Sequence, residues 1–446
     1  GTKTPGQGYY EYDEAAENTF TDKITGGSDK RYEEAGIEKE KGVYTFTKDA
    51  VIDVTKGDYS SNLGAIESSG GPITINADGL NLDVAYHVTK GSNVARAVAT
   101  GLSYGKSKDV TIKAKRLKLS TDTTGFYGQG VYAAGGKITI DADTTISTSA
   151  QNESNGIYSG SGATVNMNGS LDIKKDSNAA NYIALKSDDN GVINVNIKDG
   201  KAGAGIVKID GDVYTKSAES YDYWEDETTT TSSTVNLALQ GAESTWNGRS
   251  IYEVTSSGDD KTGYGSFNLW LTDGASWINE KNGKVVPSGF AGSHVTSFVG
   301  GADAAHAGHI FQNDTNSITI DKYSGNTNIY YAHTGNGEAA DNYAAGDTII
   351  KSAAAGSAVS LITDNKGVTM DNKDSVANVL NALAGKLTYS SFATGEKNLT
   401  GVVKIAAGLT ASSAALESGD ITFNEKGQGT YVKPEPVDDT HFTEKI

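Results

Sequence analysis

The sequence predicts an all-β chain: a right-handed parallel β-helix, built as a three-strand solenoid with a short helical and β cap near the C-terminus. Three observations predict it. Short β-branched triplets recur at a nearly fixed step, each unit carries three strand signals, and Gly, Asn, Asp and Ser fill the corners between them.

The anchor triplets are Ile73-Thr74-Ile75, Val110-Thr111-Ile112, Ile138-Thr139-Ile140, Val165-Asn166-Met167 and Ile193-Asn194-Val195. The later steps are 28, 27 and 28 residues, and the first is 37, which reads as one repeat with an inserted loop over 84–105. A second strand signal follows each anchor, as at Leu117-Lys118-Leu119 and Leu171-Asp172-Ile173. Another precedes it, as at Val131-Tyr132-Ala133 and Tyr182-Ile183-Ala184. Alternation at period two turns one face inward. A single unit cannot bury that face alone, so stacking must supply the core. A β-sandwich also shows short strands between turns, but not this three-strand period.

Composition agrees with a thin stack. The 446 residues are 37% hydrophobic and 8% aromatic, with 54 Gly, 5 Pro and 23 Tyr. A narrow repeat core needs fewer apolar residues than a globule, because each repeat mainly contacts its neighbours. The net charge of -18 disfavours nucleic acid and anionic membrane as partners, since both select basic patches. There are no cysteines. That suits a reducing compartment, and equally a chain that crosses a periplasm unfolded; the repeats favour the second. No signal peptide is visible at Gly1–Tyr10, so the start reads as a trimmed N-terminus. No run of about 18 apolar residues predicts a membrane-spanning helix.

The rhythm breaks at 217–233, where Ser220 to Glu227 is acidic and aromatic and runs into Thr228–Thr231. This segment reads as a loop leaving the wall. It then returns in another form. Val235-Asn236-Leu237-Ala238-Leu239, Gly241-Ala242 and Trp246 are echoed by Phe267-Asn268-Leu269-Trp270-Leu271, Gly274-Ala275 and Trp277. Further strand signals lie at Ile318–Ile320, Asn328–Tyr331, Asp347–Ile350 and Val359–Ile362. At 374–385, apolar residues at 376, 379, 380 and 383 have helical spacing, with Asp374 or Ser375 as N-cap and Gly385 at the end. The helix reads as a cap over the open end, where bare strand edges would otherwise stand.

The double-Trp pattern at 235–277 resembles the passenger domains of monomeric, pertactin-like bacterial autotransporters. So do Ser317–Gly325 and Gly346–Lys351, and the likeness of pattern covers roughly residues 40–365. The resemblance implies a β-helical passenger on the bacterial cell surface, attached to or released from an outer-membrane β-barrel. It also implies that residues 266–365 are autochaperone-like coils that nucleate folding. The chain departs from the family pattern at 374–431. No series of amphipathic strands of about ten residues with aromatic girdles follows, as a barrel would need.

The organisation expected is an N-terminal segment and cap at 1–40 and coils of about 27 residues at 41–216. The acidic aromatic loop at 217–233 follows, then C-terminal coils at 234–370, a helix plus β segment at 371–431, and a linker towards the barrel at 432–446.

Few motifs point to chemistry. Gly101-Leu102-Ser103-Tyr104-Gly105 matches G-x-S-x-G but sits in a Gly-rich corner without a following helix, so it reads as a chance match. The carboxylate pairs Asp141/Asp143 and Asp188/Asp189 fall at turns, and Arg occurs at only four positions. A β-helical lyase or glycoside hydrolase, the alternative reading, would want facing carboxylates and bases along one groove. His306 and His309 lack a carboxylate cluster, so no metal or other cofactor is expected.

The expected function is therefore adhesion without catalysis. Tyr221, Tyr223, Trp224, Glu225, Asp226 and Glu227 are the candidate ligand-binding residues, because aromatic rings bring large contact area at low entropic cost. The 84–105 insertion is a second candidate. The expected partner is a host-cell or bacterial surface protein or glycan, or a second copy of the chain. A spacer with no ligand is a third reading.

Overall fold

The computed structural model describes residues 17–20, 23–26, 37–38, 42–56, 64–68, 72–89, 94–101, 109–255, 265–283, 286–287 and 289–434. Most of these residues are in strands, with a single short α-helix among them, and the strand pairing is dominantly parallel. This is an all-β stack compatible with a solenoid.

Three ladders of parallel strands run through it. The first passes through Gly42–Phe46, the first parts of Ile73–Val88, Val110–Thr123 and Lys137–Ser149, and onward to Thr348–Ala353 and Leu387–Tyr389. The second runs from Lys23–Gly26 to Ala50–Lys56, uses the later parts of the same long strands, and ends at Leu399–Ala406. The third joins Gly64–Ser68, Val94–Thr100, Tyr127–Ala134, Glu153–Gly160, Asn181–Ser187, Val213–Asp222 and Ser250–Thr255.

The anchors pair in register. Ile73 lies opposite Val110, Val110 opposite Ile138, Ile138 opposite Val165, and Val165 opposite Ile193. Alternation then sets the core. In the second ladder one inward column runs from Ile52 through Val84, Leu119, Ile146, Ile173, Ile209, Trp246, Trp277, Ile310, Ile329 and Leu361 to Val403. Every member is at most 3% exposed. Burying each aliphatic member is worth about 1.5–3 kcal/mol, so the column is a continuous source of stability along the stack.

The long first step is not one inserted loop. Val84–Val88 pairs in the second ladder and Val94–Thr100 in the third, so most of 84–101 is wall. The extra length is shared between a register shift at Ala77/Asn81 and the stretches on either side of Val94–Thr100. Strand signals there were obscured because Ala85 is apolar on the outward face and Ala95 to Ala99 are buried without alternation.

Beyond Thr255 the third ladder stops among the described residues. The chain returns from the second ladder to the first without a strand, through 313–316, then 331–347, and last through the helix Lys373–Ala384. Val376, Val379, Leu380 and Leu383 are its buried stripe, the spacing read from the sequence. Asn372 caps it, accepting from the N–H groups of Asp374 and Ser375 at 3.0 and 3.1 Å. Asp374 and Ser375 are thus the donors of the first turn, because a cap side chain reaches N–H groups two and three residues ahead.

The helix contacts Ser357–Asp364, Leu399–Ala406, Ala415–Phe423 and Gly429–Thr430. There the parallel order ends. Ala415–Phe423 pairs antiparallel with Leu399–Ala406, and Gly429–Thr430 pairs antiparallel with Ala415–Phe423. Residues 1–16 and 435–446, at the two ends of the expected organisation, lie outside the described residues.

Candidate functional site

The segment read as a loop at 217–233 is an ordered β-hairpin. Val213–Asp222 starts as a third-ladder strand, with Val213 to Ala218 opposite Ser250 to Thr255. It then overruns the wall, turns at 223–226, and returns as Glu227–Ser232 in antiparallel register from Asp222/Glu227 to Ser217/Ser232. The Thr run is the reason: β-branched residues suit a strand rather than a loop.

The root is fastened to the wall. Ser233 Oγ donates to Ser187 O at 2.7 Å and accepts from Lys216 N–H at 2.8 Å, and Ser232 N–H donates to Asn190 Oδ1 at 2.8 Å. The tip is held by its own side chains. Trp224 N–H donates to Asp222 Oδ1 at 2.8 Å, the Tyr221 hydroxyl donates to the Asp226 carboxylate, and the Tyr221 and Tyr223 rings meet edge to face at 4.9 Å. Asp226 takes a left-handed φ of 50°, which Asp tolerates better than most residues. Its carboxylate pushes the Tyr221 hydroxyl pKa above the usual phenol range.

All six candidate residues lie together at this tip, and all are exposed. Tyr223 is 87% and Trp224 96% exposed, which leaves two large rings with no covering element. Residues 217–232 carry five carboxylates and no Lys or Arg. The tip is thus an exposed aromatic and anionic turn that joins two paired strands.

Other features are engaged internally. Asp141 accepts from Asn168 at 2.6 Å, Asp143 from Ser170 N–H at 3.0 Å, and Asp188 from the Tyr158 hydroxyl at 2.7 Å. His306 pairs with Asp303 at 2.7 Å on the short 3-10 turn Ala304–His306, a carboxylate contact the spacing alone did not reveal. His309 is buried against the Tyr330 hydroxyl at 3.0 Å, and burial lowers its pKa. Among the described residues no three metal-ligating side chains converge, and no helix is long and apolar enough to cross a membrane. Of the G-x-S-x-G match, Leu102–Gly105 lie outside the described residues.

The sequence reading missed a stacked column on the third ladder. The Arg96 guanidinium lies 3.4 Å from the Tyr132 ring centre, Tyr132 stacks on Tyr158 at 4.8 Å, and Lys186 approaches the Tyr214 ring at 5.4 Å. Lys186 also pairs with Glu153 at 2.5 Å. The register would have been the only signal, since Arg96/Gln129 and Tyr132/Tyr158 come together through steps of unequal length. The rings cover one another, so the column serves cohesion.

No protein-family model, no curated protein and no solved structure matches this chain. The functional reading therefore rests on the residues and geometry above.

Proposed function

We propose that this chain is a cell-surface adhesin: the passenger of a pertactin-like autotransporter, a right-handed three-strand β-helix that presents the 217–232 hairpin to a partner. The observation that carries this reading is the hairpin tip, where Tyr223 and Trp224 stand exposed on a support of paired strands. Rigid exposed aromatics are what recognition surfaces use, because they lose little conformational entropy on binding. The three-ladder stack supports the β-helical part of the reading, and the strong right-handed preference of parallel crossovers supports its hand. An acidic surface suits a soluble projection from an outer membrane, attached to it or released. The partner is a surface protein or glycan of a host cell or bacterium, or another copy of the chain.

The test is a shortened hairpin. Ser220 and Thr229 are cross-strand partners, so replacing residues 221–228 by Asn-Gly closes the hairpin through a two-residue turn. Saturable binding of the parent chain to epithelial cells, bacterial cells or a glycan panel, lost on shortening, supports the adhesin and its site. Binding unchanged by shortening overturns the site.

A further inference from the structure

The hairpin has one strand that is only half paired. Among the described residues, Glu227–Ser232 pairs with Val213–Asp222 and with no other strand. Ser232 N–H points away from that partner, to Asn190 Oδ1. Backbone direction alternates with period two along a strand. The N–H and C=O groups of Thr228 and Thr230 therefore face the same open side, and both residues are exposed.

Sheet edges that must stay single are usually blunted by Lys, Pro or a bulge. Thr228 to Thr231 carry none of these, and the hairpin register is continuous. This edge is shaped to accept a strand.

Charge selects the occupant. Five carboxylates, at Glu219, Asp222, Glu225, Asp226 and Glu227, flank the edge, and the sequence of 217–232 holds no Lys or Arg. A second copy would bring the same five carboxylates against them. The exposed faces of Tyr223 and Trp224 beside these acids fit a guanidinium or ammonium group, which is attracted to both.

We propose that an extended, Arg- or Lys-rich peptide segment of the partner adds as a β-strand to Glu227–Ser232, with its cations against the acidic tip and the Trp224 ring. This rests on the reading of the hairpin as the recognition site. Main-chain bonds to Thr228 and Thr230 supply affinity, and the charged tip supplies selection.

The experiment titrates the full chain with a fluorescent twelve-residue peptide of alternating Arg and Val. Thr230→Pro removes one outward N–H, which an edge strand tolerates because that group makes no hairpin bond. The same peptide N-methylated at alternate positions removes donors from the other side and needs no variant of the protein. Saturable binding is expected, weakening as salt rises, and falling about tenfold or more with either change. Equal binding of the N-methylated peptide, or of a peptide with Glu in place of Arg, overturns the proposal. So does failure of the Arg peptide to bind. In that case, cell binding still lost on hairpin shortening leaves the adhesin reading standing. Cell binding indifferent to shortening overturns the hairpin as the recognition site instead, whatever the peptide does.

Discussion

Trp246 and Trp277 stack face to face, with ring centroids 4.7 Å apart and planes 7° from parallel. They are register partners in adjacent coils, and each indole N–H donates at 2.9 Å to a glycine carbonyl, Gly211 for Trp246 and Gly248 for Trp277. Phe267 closes the side of Trp246 edge-on at 5.4 Å. The pair thus ties two adjacent C-terminal coils together, and the buried Trp246 bond to Gly211 links them to the N-terminal coils.

Trp277→Ala is expected to lower stability by about 3–5 kcal/mol, the usual cost of removing a large buried ring. Trp270→Ala, on the outward side of the same region, should cost within about 1 kcal/mol. Urea unfolding followed by circular dichroism compares them. Equal losses would mean that the stack is not what holds these coils.

Asp212 gives a pH dependence. It is wholly buried, with Arg249 N–H donating to it at 2.8 Å and Asp314 beyond Arg249 at 3.9 Å. Burial pushes its carboxyl up to about 6, against the pull of the Arg249 backbone bond and charge. The unfolded chain has an ordinary carboxyl near ~3.9, so the folded state holds the proton more tightly. This contribution is full below about pH 4 and is lost as pH rises through about 6. Asp212→Asn keeps the acceptor and removes the titration, so stability measured across pH 4–7 should slope less than in the parent. An identical slope would place the titration elsewhere.

An amide ladder ties the first-ladder coils on their outer side. Asn194, Asn236 and Asn268 each donate to the Asn one coil earlier, at 2.9, 2.8 and 2.8 Å. Asn236→Ala should cost about 1–2 kcal/mol, because it leaves two partners short of a bond. In a double-mutant cycle with Asn194→Ala the losses should be less than additive, since the two share one bond. Strict additivity would show that the amides act independently.

The capping helix separates two scales. Leu380→Ala empties a fully buried position and should cost about 2–5 kcal/mol. Asn372→Ala removes only the N-cap and should cost about 1 kcal/mol. Hydrogen exchange at Leu399–Ala406 reads both, because that strand lies against the helix. Protection unchanged in Leu380→Ala would show that the helix does not shield the last parallel strand.

Periodicity made much of the stack legible. The five β-branched anchors found their register partners, and the paired Trp pattern turned out to be two adjacent coils in contact. Corners were harder. The strand at Val94–Thr100 is Ala-rich and hides its period, so wall residues read as an insertion. The hairpin residues were legible as a site from composition, but the pairing of Thr228–Thr231 depends on a return strand that no short-range motif announces. The end of the third ladder at Thr255 among the described residues was likewise invisible, because the C-terminal coils keep the strand signals of the other two walls.

The most direct test of the account is the affinity of Tyr223→Ala/Trp224→Ala for the cell surface the parent chain binds, measured at matched stability. Both rings are almost fully exposed, so their removal should cost little global stability. The account predicts at least tenfold weaker saturable binding, about 1.4 kcal/mol or more. Undiminished binding by the double variant would contradict it.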